Sequence, residues 1–166
     1  IGVFTFDTAG KVRVVHAAFK GDFYADHVVV SRDGARAFVV DPNTADNGGG
    51  VHEVAIGCDG TLTYVGLAVP GGRAHAMTLL PTNPDRAALV AGAAFDSAAT
   101  DYAHLLDLAP ARPARLAGGA VFGDGDAIAS SVAVTPDGKW ALVTDNGIVK
   151  GNRMAAVALA TMKATA

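Results

Sequence analysis

The chain has one cysteine and one tryptophan in 166 residues. With Cys58 alone, neither an internal disulfide nor a cysteine-based zinc site can form. Its setting in Gly57-Cys58-Asp59-Gly60 marks it as a turn thiol. Positive charge is thin as well. Thirteen Lys and Arg face 16 Asp and Glu, for a net charge of −3, and no Lys/Arg run exists. That excludes a basic nucleic-acid surface. No apolar stretch reaches the roughly 18 to 20 residues that a spanning helix needs, and the residues given show no targeting segment. The expectation is a soluble chain of unassigned compartment. Helical periodicity is scarce too. The best candidates are residues 86–94, rich in Ala, and residues 153–166, where Ala and Met favour helices. Apolar residues make up 51% and charged residues 17%, which argues against disorder.

What the chain does have is a recurring hairpin. "HVVVSRDGARAFVVD" (residues 27–41), "HAMTLLPTNPDRAALVAG" (75–92) and "SVAVTPDGKWALVTDNG" (131–147) each set an alternating apolar run against a turn and a second run. Aligned on Asp33, Asp85 and Asp137, they lie 52 and 52 residues apart. Such a period marks a repeat architecture and is near the length of a propeller blade. A second strand pair follows the first two hairpins, at residues 51–69 and 102–122. The opening residues 1–15 match residues 51–65 at an offset of 50, with Gly10 on Gly60, Phe4 on Val54 and Phe6 on Ile56. Val, Phe, Ile and Thr alternating with polar residues, bounded by Gly and Asp, are strand chemistry.

The pattern predicts an all-β fold, a β-propeller of four-stranded antiparallel blades with about three and a quarter blades visible. Residues 1–22 supply the outer two strands of one blade. Residues 23–70 and 71–126 form full blades, and 127–166 the first three strands of another, 13 strands in all. A lone blade cannot bury its two apolar faces; blades stacked radially bury both. The expectation is therefore that the remaining blades come from a longer chain or from a second copy.

At the first and third hairpins the chain resembles the YVTN-type, lactonase-like seven-bladed β-propellers. That group includes bacterial 6-phosphogluconolactonase relatives and cycloisomerase-type enzymes. "GGRAHAMTLLPTNPD" (residues 71–85) is similar to the family's Gly-Pro-Arg-His lead into a blade's first strand, with Ala74 between Arg73 and His75. The Tyr-Val-Thr-Asn signature is replaced by Phe38-Val39-Val40-Asp41 and Leu142-Val143-Thr144-Asp145. Turns of this type also occur in other propellers, including the heavy subunits of quinone-dependent amine dehydrogenases. The resemblance implies a small lactone or sugar-acid substrate at the channel mouth. The alternatives are a non-catalytic scaffold for a protein partner, with Phe23, Tyr24 and Trp140 as aromatic anchors, and a redox subunit, for which no cofactor-attachment chemistry is visible.

His27, His75 and Ser131 begin the three hairpins. The innermost strands of a propeller line its channel, so their starts cluster at one mouth. Imidazoles there would serve as general acid and base, because the side chain titrates near neutrality as a class. His27 and His75 are the catalytic candidates. Arg73 and Ser131 are the substrate-binding candidates, since a guanidinium holds carboxylate or phosphate in a bidentate fork. The bland alternative is that each histidine only bonds the backbone of a neighbouring blade. His16, His52 and His104 read as surface or satisfied core residues. No cofactor is expected. Calcium, which takes several loop oxygens, is the one cation that Asp41, Asn43 and Asp46 would suit, although Ala45 and the missing Glu exclude the helix-loop-helix motif. The run Gly48-Gly49-Gly50 precedes a strand and not a helix, so it is no dinucleotide cradle.

Overall fold

A computed structural model describes residues 3–16, 24–42, 49–70, 74–91, 101–109, 115–121, 129–147 and 151–165. These residues form fourteen strands and no helix. Sheet I pairs β1 (Val3–Phe6) with β2 (Val12–His16). Sheet II runs β3 (His27–Val30), β4 (Arg36–Asp41), β5 (Gly50–Ile56) and β6 (Leu62–Pro70). Sheet III runs β7 (Ala74–Leu80), β8 (Asn83–Ala91), β9 (Asp101–Asp107) and β10 (Arg115–Val121). Sheet IV runs β11 (Ala129–Val134), β12 (Trp140–Gly147), β13 (Gly151–Ala158) and β14 (Lys163–Thr165). Every pairing is antiparallel and between consecutive strands, so each sheet is a meander. This is the expected all-β partial propeller, with one strand more than the sequence pattern suggested.

The extra strand is β14. Residues 153–166 were ambiguous in sequence because the reversal before β14 has no glycine to announce it. Met162 itself takes a left-handed φ of 51°, and its N–H bonds the Ala158 carbonyl at 2.7 Å. The other ambiguous segment, residues 86–94, falls largely in β8, where Ala87 and Ala88 are buried on opposite faces.

Turn chemistry explains the recurring hairpin. In sheet II the Ser31 hydroxyl bonds Asp33 Oδ1, which accepts the Ala35 N–H at 3.0 Å; the Arg36 N–H bonds Ser31 Oγ at 3.0 Å. Sheet IV repeats this with Thr135 on Asp137, the Lys139 N–H at 3.1 Å and the Trp140 N–H on Thr135 Oγ1 at 3.1 Å. Gly34 and Gly138 hold φ of 72° and 68°, a left-handed conformation that costs any other residue. Asp85 does not share the role of Asp33 and Asp137. It lies within β8, its N–H bonded by Asn83 Oδ1 at 3.1 Å, because the turn after β7 is the short Pro81-Thr82 link. The 52-residue spacing therefore holds between sheets II and IV, as two periods, but not for the side chain in the middle.

The sheets stack face to face, and the period of two decides what each face buries. Phe38, Val40, Val51 and Val69 of sheet II close on Ala74, Met77, Ala87 and Leu106 of sheet III, with Leu108 beside them. One residue out of register, Ala88 and Leu105 face the other way and pack on Ala141, Val143, Ala155 and Val157 of sheet IV. Fully burying a side chain such as Phe38 or Met77 contributes about 1.5–3 kcal/mol. Exposed apolar side chains remain: Phe4, Phe6 and Val14 on sheet I, and Trp140, Leu142 and Met154 on sheet IV. Among the described residues no helix is long and apolar enough to cross a membrane.

Candidate functional site

The inner strands β3 and β7 pack against each other, and their starts bring two of the sequence candidates together. His27, first residue of β3, accepts the Met77 N–H of β7 on Nδ1 at 3.1 Å. In the neutral ring this leaves Nε2 as the protonated nitrogen. His75, second residue of β7, has Nδ1 3.4 Å from Asp26 Oδ2, immediately before β3. Its Nε2 is shielded from solvent and has no hydrogen-bond partner among the described residues. A carboxylate at Nδ1 favours the proton there and leaves a lone pair on Nε2. The two imidazoles are thus complementary: His27 offers an N–H, His75 an acceptor.

Both histidines also bridge the sheets, as the bland expectation held for His27. The Met77 amide would otherwise lack an acceptor at a part-buried position, so His27 has a structural role whatever else it does. Asp26 was not singled out in sequence. It is half-exposed, its side chain at 49%, and the backbone anchors it through its N–H to the Val40 carbonyl at 3.0 Å.

Ser131 occupies the register position of His27: it pairs with Thr144 as His27 pairs with Val40. It is exposed and is the third residue of β11, the third inner strand. The neighbouring Ser130 hydroxyl lies 3.3 Å from Thr144 Oγ1. Arg73, Asn43 and Asp46 lie outside the described residues.

Asp41 is not a loop ligand. It is fully buried, with Oδ2 3.2 Å from His52 Nε2, and the opposite ring nitrogen, Nδ1, lies 3.0 Å from the Tyr64 hydroxyl. This chain of carboxylate, imidazole and phenol runs across β4, β5 and β6. It satisfies a carboxylate and an imidazole that would be costly to bury alone. Partial burial pushes the Tyr64 phenol above its ordinary value. No group of three or more metal-ligating side chains exists among the described residues.

At the opposite, turn-bearing end, Arg32 bonds the Pro81 carbonyl at 3.2 Å and Arg36 bonds that of Leu108, both from sheet II to sheet III. Arg36 also lies 3.5 Å from Glu53 and 5.2 Å from the centre of the Phe38 ring. Of the three aromatic anchors, Phe23 lies outside the described residues, and Tyr24 and Trp140 do not converge on one surface. Tyr24 precedes β3 at the strand-start end, and Trp140 follows a turn at the other.

No protein-family model and no curated protein matches the chain. Solved structures do. The periplasmic gluconolactonase of Pseudomonas aeruginosa superposes with a TM-score of 0.68 at 16% identity, over 98% of this chain and 48% of that one. A protein described as a 6-phosphogluconolactonase, from Bacteroides uniformis, gives 0.65 at 16% identity, over 95% and 46%. TolB from Acinetobacter baumannii gives 0.59 at 10% identity, over 99% and 37%. At these identities the likeness shows a propeller-type fold. The chain spans just under half the length of the two lactonase-type proteins.

Proposed function

We propose that the chain belongs to a lactonase-like propeller that binds a small lactone or sugar acid where the inner strands of sheets II and III begin. The observation that carries this reading is the His75 imidazole, backed by Asp26 on one nitrogen and without a hydrogen-bond partner among the described residues on the other. A shielded acceptor without a donor costs about 1–3 kcal/mol. A ligand hydroxyl or an attacking water would satisfy it.

These groups would support ester hydrolysis once substrate and water reach the shielded Nε2 of His75. Water held on His75 Nε2 attacks the lactone carbonyl as the ring takes its proton, and Asp26 steadies the imidazolium that forms. His27 Nε2–H is the donor available to the carbonyl oxygen as it gains charge. Collapse of the tetrahedral intermediate breaks the bond from the carbonyl carbon to the ring oxygen. His75 returns the proton to that oxygen, giving the hydroxy acid. Arg73 would hold the acid or phosphate group of the substrate, and Ser131 would contribute a hydroxyl from the third inner strand. The lactonase names of two structural neighbours support the same substrate class.

The test is hydrolysis of glucono-1,5-lactone by the complete protein and by its His75→Gln and His27→Gln variants, with circular dichroism to confirm folding. His75→Gln is expected to lower kcat about 10²- to 10⁴-fold, and His27→Gln to lower it less. Folded variants with unchanged turnover would remove the catalytic reading.

A further inference from the structure

A cleft of about 410 Å³ opens between sheets III and IV at the turn-bearing end, away from the histidines. That volume is in the range of small-molecule sites. Leu80 and Leu105 of sheet III line it, with Leu159, which follows β13. Each of the three leucines is 6% exposed. Arg86 and Lys139 also line it, together with Trp140, the chain's single tryptophan. Arg86 is exposed and has no ion pair among the described residues. Its cross-strand neighbour Asp107 accepts the Ala109 N–H. Lys139 is held only at 3.6 Å from Asp137, both side chains solvated at 75% and 51% exposure. Such a pair contributes little and leaves the ammonium available.

Apolar lining with two available cations is complementary to one ligand chemistry. We infer that this cleft binds a small amphipathic carboxylate, its hydrocarbon on the leucines and its carboxylate on Arg86 and Lys139. Neutral apolar molecules would gain only the area term. Phosphate-rich ligands would leave the leucines uncovered. The inference does not depend on the lactonase reading, because no residue is shared.

Trp140 makes the cleft directly readable. The complete protein is titrated with octanoate while tryptophan emission is followed, with octanamide as the uncharged probe of equal length. A saturable change is expected with octanoate, at least about tenfold tighter than with octanamide, since charge-assisted bonds are roughly twice as strong as neutral ones. The Arg86→Gln/Lys139→Gln double variant, checked for an unchanged Tm, is expected to bring octanoate down to the octanamide level. No saturable response up to millimolar octanoate would overturn the inference, as would equal affinity for the two probes. The probe comparison uses the unaltered protein and so decides the matter even if the double variant does not fold.

Discussion

Sheet III meets its two neighbours through different chemistry. Against sheet II it is pinned by polar bonds at both ends: His27 to Met77 and Asp26 to His75 where the inner strands start, Arg32 and Arg36 to backbone carbonyls at the turns. Against sheet IV the described contacts are apolar, led by Leu105 on Val143 and Val157, and one turn presses on another where a Cβ on Gly138 would come within 2.1 Å of Thr82 Oγ1. Stacking area alone holds a propeller together; polar pins add fixed orientation. The junction with the pins is also the one with the histidines. Side chains that position two sheets are thereby held still enough to position a ligand.

The comparison can be broken from its core outward. Phe38→Ala, which truncates the largest fully buried side chain of the pinned junction, is expected to cost about 3–5 kcal/mol in denaturant unfolding. A smaller loss would mean that the polar pins carry the junction. Gly138→Ala is expected to cost about 2–4 kcal/mol, combining the left-handed backbone with overpacking against Thr82. Gly34→Ala has the same backbone but open space within 4 Å, and should cost only about 1–2 kcal/mol. Adding Thr82→Ala to the Gly138 variant should bring it down to the Gly34 level; no recovery would place the strain elsewhere. His27→Ala orphans the Met77 amide and is expected to cost about 1–3 kcal/mol, without a counterpart at Ser131.

The smallest effect is a pH dependence. Bonds from Ser31 and Thr135, then from backbone amides, hold the Asp33 and Asp137 carboxyls below the ordinary carboxylate value. A lowered folded value means stability present above the unfolded value and lost as pH falls through the folded one. Both are exposed, so the loss below about pH 4 should be slight. Carboxyl NMR should place both midpoints below the ordinary aspartate value of about 3.9. Midpoints at that value would contradict the turn assignment.

Strand chemistry and the blade-length period were legible in sequence because alternation and Asp-Gly turns are local. What escaped it depended on contacts between distant segments. β14 follows a reversal built on Met162, a residue that gives no turn signal. Asp85 sits at the right spacing but in a strand, since the turn is shorter than its composition implies. His27 and His75 were visible as strand starts, while Asp26 became relevant only when two inner strands packed together. Asp41 read as a loop oxygen because nothing local shows His52, eleven positions away, beneath it.

The most direct test of the account is NMR of the five histidine side chains in the complete protein, at fixed pH, with and without gluconate. The account predicts saturable shifts at His75 and His27, with His52 and His104 still. Shifts confined to other histidines, or none at His75, would contradict a ligand site at the pinned junction.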